Sequence, residues 1–362
     1  MFAHRLVILL LGLLSGNFLF AQKYSNEFLS IGAGARAQGL GNAVVAGVSD
    51  IYSTFWNPAG LVGIEEETGL SLGAMHAEWF AGVGKYDFLG ASIPLGNSQK
   101  RLALSAIRFG IDGIPNTLSL YESDGTINYD NVVEFSAADY AFLLTYSQPL
   151  KVKRGNLSIG GNVKVVRRII GTFANSWGFG LDLGLQYHLK GLRLGLVGKD
   201  ITSTFNAWTV NFTAEEKQVL IQTGNSLPDI NSTEVTNPSL IFGVGYHFGF
   251  KTVGFTPEVN LITTTDGRRN VLIPGEKLSA DLAFGLEVDY KEAVYLRAGV
   301  DQFQKETNFD GTETTISRPS LGIGLRLGAF RVDYAYTDLG DARNTYSHVI
   351  SLVLNLKKDK DQ

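Results

Sequence analysis

From Gly69 onward, apolar and polar residues alternate with a period of two. The clearest run puts Trp177, Phe179, Leu181, Leu183, Leu185, Tyr187 and Leu189 on one side, against Gly178, Gly180, Asp182, Gly184, Gln186 and His188 on the other. Successive side chains of a strand point to opposite faces, so this run has one apolar face and one small or polar face. The same period recurs over residues 157–165, 240–248, 282–290, 321–327 and 330–336. A soluble sandwich would alternate too. Several runs here, however, reach ten residues or more, against ~5–6 for soluble strands and ~9–11 for membrane strands. Aromatic residues also gather towards the ends of the runs, as interfacial girdles do. The pattern predicts an all-β, transmembrane antiparallel β-barrel of about fourteen strands over residues 67–356, within the even-numbered bacterial series. The predicted strands start near Gly69, Tyr86, Arg101, Phe135, Asn156, Asn175, Leu192, Pro238, Val253, Lys277, Ala293, Ser317, Ala329 and Asn344.

The links between runs alternate in length. Residues 111–134, 200–237, 262–276 and 304–316 are long and polar, whereas those near 96–100, 151–156, 190–191, 290–293 and 328–329 are short. Long loops belong outside the cell and short turns in the periplasm. The longest link, 200–237, holds Phe205, Trp208, Val210, Phe212, Val219, Leu220 and Ile221. So many apolar groups are expected to fold over the barrel mouth as a lid, or else to offer a binding or catchment surface. The last strand, about 346–356, is followed by a polar tail, 357–362, where many outer-membrane proteins end on an aromatic residue.

Two segments precede the barrel. Residues 1–21 have the basic start (His4, Arg5), the apolar run (Leu6 to Leu14) and the small residue (Ala21) of a secretory leader, cleaved near Ala21. The apolar run is shorter than the ~20 residues a membrane helix needs. Residues 22–66 are different in kind. Gly32, Gly34, Gly39 and Gly41 crowd one end, with Arg36 among them, and Trp56, Asn57, Pro58, Ala59, Gly60 and Leu61 close the other. Glycine permits close backbone approach, and Pro58 bars a continuous helix or a central strand. The segment therefore reads as a folded-back hatch that plugs the barrel from the periplasmic side, with Trp56 buried. Gly32, Gly34 and Ala37 also fit a loose dinucleotide fingerprint, but no strand precedes it and no βαβ alternation follows, so no cofactor is expected.

This segment resembles the N-terminal signature of the PorV/PorQ family of outer-membrane proteins, which is similar to the FadL group of fatty-acid transporters. Asn57-Pro58-Ala59 matches the Asn-Pro-Ala of the FadL hatch, and Ile111 to Thr117 is similar to an element that the family places after its third strand. The resemblance implies a FadL-like barrel with an N-terminal hatch, associated with type IX protein secretion or cell-surface attachment. It implies secretion-system subunits or secreted cargo proteins as partners. The alternative is FadL-like passive transport of long-chain fatty acids or other hydrophobic small molecules. Thr54 and Phe55 stand before the motif and Gly60 after it, where the cargo shuttle PorV has a different wording, so cargo specificity is not carried over.

Composition narrows the chemistry. Charged residues make up 18% of the chain and aromatics 11%, the former below the ~25% of average proteins. That fits a wall facing outer-membrane lipid. The chain has no cysteine, which excludes disulfides and thiolate chemistry. A formal charge of −4 and the lack of a basic stripe argue against nucleic acid. No HExxH or GxSxG motif and no close His/Asp cluster appears, so neither catalytic nor metal residues are assigned. The charges predicted to point inward are Lys164, Asp182, Glu287, Asp289, Arg297, Asp301, Arg326, Arg331 and Asp333. Their mixed signs suggest a paired network that positions the hatch, with a selectivity ring or a carboxylate site as the functional alternative.

Overall fold

The computed structural model describes residues 25–358, apart from 80, 81, 97, 123, 225, 227–230, 309 and 339–345. The predicted leader and residues 359–362 of the predicted tail lie outside the described residues.

The strands are β1 (Thr68–Trp79), β2 (Gly84–Pro94), β3 (Arg101–Asn116), β4 (Val133–Leu150), β5 (Asn156–Ile170), β6 (Ala174–Leu189), β7 (Leu192–Lys199), β8 (Thr204–Val210), β9 (Asn231–Thr236), β10 (Ser239–Tyr246), β11 (Phe248–Phe250), β12 (Val253–Thr264), β13 (Ser279–Tyr290), β14 (Val294–Thr307), β15 (Glu313–Leu327), β16 (Phe330–Asp338) and β17 (Tyr346–Lys357). Every pairing is antiparallel, and β1 pairs with both β2 and β17, which closes the sheet. β10 and β11 form one stave, and β8 and β9 form a side hairpin, so the closed wall has fourteen staves. Closure leaves no unpaired edge in lipid, where an unsatisfied backbone group is costly.

Alternation gives the wall its two faces. On β6, Trp177, Phe179, Leu181, Leu183 and Leu185 are exposed on the outside, while Ser176, Asp182 and Gln186 are buried inside. The staves tilt, and the register records it. One row of direct partners starts at Trp177, near the extracellular end of β6. It passes through Arg167, Tyr140, Arg108, Asp87 and His76 and arrives at Phe248, near the periplasmic end of its stave.

The link 200–237 is not an irregular lid. Residues 204–210 form β8, which pairs with the extracellular half of β6 beyond the point where β7 leaves it, and β9 pairs with β8. A nine-residue helix, Ala214–Gln222, joins them, started by a Thr213/Glu216 capping box. The hairpin curls over the mouth, because Glu234 of β9 reaches Arg168 of β5 at 3.2 Å. It covers the mouth as a regular hairpin, and alternation within β8 divides its apolar residues, with Trp208 buried and Phe205 exposed.

Residues 25–66 run through the inside of the barrel. Ser25 bonds Glu234 at 3.1 Å and Asn26 bonds Thr236 at 2.8 Å, both at the extracellular mouth. At the other end Glu65 pairs with Arg326, next to the periplasmic turn of β15 and β16. The segment thus spans the lumen instead of capping one end. Its helices are single turns, at Ala35–Gly39 and Ser53–Trp56. Turn bonds within the segment, such as Asn42 to Ala37 and Val48 to Val44, satisfy many of its amides, and the wall supplies partners for others.

Inward glycines let it lie against that wall. A Cβ at Gly184 would overlap Asn57 and Pro58, and one at Gly299 would overlap Leu40 and Gly41. Gly184→Val is therefore expected to leave the barrel closed but to displace the hatch, at a cost of roughly 1–3 kcal/mol for overpacking. Faster protease cleavage within residues 25–66, with the heat-modifiable gel mobility of a folded barrel retained, checks this. Unchanged cleavage would show that the glycine is not needed for close approach.

Candidate functional site

The candidate site is the hatch together with the wall that holds it. Asn57 sits at its centre with no exposed surface. Its Oδ1 accepts from the Ala59 amide at 3.2 Å and caps the 3-10 turn Pro58–Gly63. Pro58 stands first in that turn, where a missing N–H costs nothing. The Asn57 amide nitrogen donates to the carbonyls of Val45 at 2.9 Å and of Leu185 at 3.0 Å, tying hatch to hatch and hatch to wall. Gly60 packs where a Cβ would overlap the Val48 carbonyl. Trp56 is buried, donates from Nε1 to the Ala33 carbonyl at 2.7 Å, and covers Gly32, whose φ of 96° suits glycine. The Gly34 amide and the Gly41 amide face Met75 Sδ and Ser320 Oγ of the wall. Gly39 lies against Gly322 of β15.

Wall side chains complete the hydrogen bonding of the hatch. Gln186 donates to the carbonyls of Val45 and Val48, Asn260 to that of Asn42 and Asn162 to that of Thr54. In the other direction, Glu258 accepts from the Ala46 amide at 2.7 Å and Ser351 from the Ala35 amide at 3.0 Å. None of these wall residues is among the site residues that the sequence predicts. Their only signal was a polar residue on the inward side of an apolar alternation, which many inward positions share.

The charges fall into groups. The largest starts at Arg36 of the hatch, which holds Glu287 with two bonds, at 2.9 and 3.0 Å. Glu287 also accepts from Arg297 at 2.7 Å, and Arg297 bonds Asp333 at 2.9 Å. Asp333 accepts from Arg331 at 2.8 Å, and Arg331 returns to the hatch at Asp50. Three cations and three anions alternate, so the chain is neutral, and both of its ends lie on the hatch. Arg36 and Glu287 are both largely buried, and the two-bond geometry compensates the burial of each charge.

The second group joins Lys164 to Asp182 at 3.1 Å and to Asp200 at 2.5 Å. The third is the two-bond pair of Arg318 with Asp301, which also accepts from Asn42 at 2.9 Å. Asp289 is buried near the periplasmic end of β13 and accepts from the Glu292 amide, apart from these groups. Arg326 is at the rim. Sequence reasoning missed Asp50, Asp200, Glu258 and Arg318. Asp50 lies in an irregular segment where no period assigns a direction.

Two cavities lie on the extracellular side, and the hatch lines the second of them. One, of about 690 Å³, lies at the extracellular rim among Phe135, Phe173, Trp208, Val210, Phe212 and Leu220. The other, of about 340 Å³, lies in the lumen above Phe55 and Trp56 and is lined also by Leu143, Ile241, Asp182 and Lys199. The Lys199 ammonium rests over the Phe55 and Trp56 rings, 4.2 and 5.2 Å from their centroids. It joins none of the ion pairs among the described residues. The bond from Ser25 to Glu234 links the linings of the two cavities.

Asp333 has no exposed side-chain surface and serves two arginines. Asp333→Asn is expected to destabilise the folded state by ~3–5 kcal/mol, the cost of breaking a buried pair. A lowered urea midpoint for loss of the folded gel form checks this, with Glu67→Gln at the exposed Lys357 pair as the control that leaves the midpoint in place.

No family model and no curated relative matches the chain. Solved structures do. The toluene transporter TodX of Pseudomonas putida aligns at 13% identity with a TM-score of 0.54, over 90% of this chain and 98% of the transporter. The monoaromatic hydrocarbon channel CymD aligns at 16% and 0.51, over 91% and 98%. A Pseudomonas aeruginosa FadL homologue aligns at 11% and 0.50, over 89% and 97%. At these identities the likeness is one of fold. The chain has the fold of FadL-type outer-membrane channels, a closed antiparallel barrel of fourteen strands.

Proposed function

We propose that the protein carries hydrophobic or amphipathic small molecules passively across the outer membrane, taking them up at the extracellular rim. The observation that carries this is the apolar rim cavity of about 690 Å³, within the ~300–1,000 Å³ range of small-molecule sites. Its wall is built for the purpose by three elements that meet at the mouth: the β3–β4 tips, the β5–β6 turn and the β8–β9 hairpin with its helix. The lumen cavity below is mixed in character. Its aromatic floor takes an apolar body, and Lys199 stands free to meet an acid group. An amphipathic acid fits both cavities in turn. The hatch closes the route below them, so passage requires part of it to shift.

Association with type IX secretion rests on the wording of the hatch signature. Trp56, Asn57, Pro58 and Gly60 each have a packing role inside the barrel, so the signature calls for no outside partner. TodX and CymD are described as transporting or conducting aromatic hydrocarbons, which agrees with the transport reading.

Uptake of a fluorescent long-chain fatty acid by cells expressing the protein tests the proposal. Trp208→Ala combined with Phe173→Ala removes much of the apolar rim and is expected to lower uptake about tenfold, the effect of ~1.5 kcal/mol of lost apolar burial. Lys199→Gln should slow the acid while sparing toluene. Normal uptake in the double variant, with lost export of secreted proteins, would favour the secretion role instead.

A further inference from the structure

The outer face of the wall is apolar on most staves, but not on β1, β2 and β3. On β6 the outward ladder is apolar over six rungs, from Tyr187 to Trp177. On β1 it is apolar for only three, Leu70, Leu72 and Ala74, and then reads His76 and Glu78. On β2 it is Ile93, Ala91 and Leu89, then Asp87 and Lys85. On β3 it is Leu102, Leu104 and Ala106, then Arg108. Three rungs cover ~15 Å of a tilted wall, against the ~25 Å apolar band of such barrels.

The polar groups are exposed and bonded to one another. His76 meets Asp87 at 2.7 Å, Arg108 meets Asp87 at 3.4 Å and Lys85 meets Asp112 at 3.1 Å. Side-chain exposure is 55% for His76, 40% for Asp87 and 33% for Arg108. The patch continues onto β17 and β16, where His348 bonds the Tyr334 hydroxyl at 2.7 Å. His76 is five steps along the twelve-step row that descends from Trp177 to Phe248, which sets it within the band and not at its rim. The outward faces of β5, β6, β10, β12 and β13 at this level carry Val163, Leu181, Leu240, Leu261 and Leu282.

Charge facing acyl chains is unfavourable, most of all near the midplane. Internal pairing reduces that cost but leaves the groups open to lipid. Another protein surface with matching groups at the same depth would remove it. The patch supplies such a surface itself. Glu78 takes part in no ion pair among the described residues, and it lies on β1. Arg108 lies two staves away on β3, whose partner residue in the row through Glu78 is Gly110. The row falls by ~3 Å per stave towards β1, and two residues along β3 fall by ~5 Å, so Glu78 and Arg108 are level in the membrane. A two-fold axis along the membrane normal, placed at β2, brings β1 of each copy onto β3 of the other and puts Glu78 beside Arg108 twice.

We propose that the protein forms a homodimer in the outer membrane through β1, β2 and β3, with Glu78 of each copy paired to Arg108 of the other. The proposal is independent of what the channel carries. The chain has no cysteine of its own, which makes crosslinking in intact outer membranes a clean test. Leu89→Cys, outward on β2 beside the axis, should give a band of twice the chain's mass with a short bis-maleimide. Leu261→Cys, outward on β12 across the barrel, should not. In the Leu89→Cys background, Glu78→Lys should reduce the band roughly tenfold, and Glu78→Lys with Arg108→Glu should restore it. Heat-modifiable mobility confirms that each variant has folded. No dimer at Leu89→Cys, equal dimer at both positions, an adduct of any other mass, or indifference to Glu78→Lys would each overturn the proposal.

Discussion

The structure depends on one constraint. An irregular segment inside a barrel must have its backbone polar groups satisfied without water and without regular secondary structure. Turns within the segment meet part of this, and the wall meets a further part with inward side chains. Asn162, Gln186 and Asn260 donate to hatch carbonyls, while Glu258, Ser320 and Ser351 accept from hatch amides. Asn162, Gln186 and Ser320 each have an inward glycine two residues away, Gly160, Gly184 and Gly322, that lets the two backbones approach. The polar face of the barrel is therefore not solvated in the manner of an open pore. It is complementary to one particular chain.

The charges extend that complementarity. The run from Arg36 through Glu287, Arg297, Asp333 and Arg331 to Asp50 begins and ends on the hatch and extends over four staves, β13 to β16, between. Buried ion pairs contribute little net stability on average, yet losing one partner is costly. Such a chain is suited to fixing where the hatch sits more than to strengthening the barrel, which its closed ladder already holds. It also confines motion. Phe55 and Trp56 lie beside the lumen cavity, where a passing molecule would act.

The two faces of the wall obey opposite rules, and each has its exception. Inside, the polar positions give way to an apolar sector in which Met75, Tyr86, Phe88, Ile107 and Leu143 pack in one core with the hatch. Outside, where apolarity prevails, β1, β2 and β3 carry one polar field. The hatch covers the apolar sector inside, whereas the polar field outside, which reaches β17 and β16, calls for a protein surface.

The sequence by itself determined the barrel. A two-residue period is a local property, and β1 to β17 each begin within a few residues of where it placed them, the side strands β8, β9 and β11 aside. It also determined which charges point inward on regular strands, such as Asp182 and Glu287. Their partners were another matter. Arg36 meets Glu287 and Asp50 meets Arg331 across more than 250 positions, and Asp50 and Val45 lie in a segment with no period to orient them. Nor could alternation tell a loop with apolar residues from a hairpin that prolongs β6, because the choice depends on where β7 leaves the sheet. Depth in the membrane was equally hidden. His76 reads like any polar residue near a strand end until the tilt of the closed sheet, a property of all fourteen staves together, sets its height.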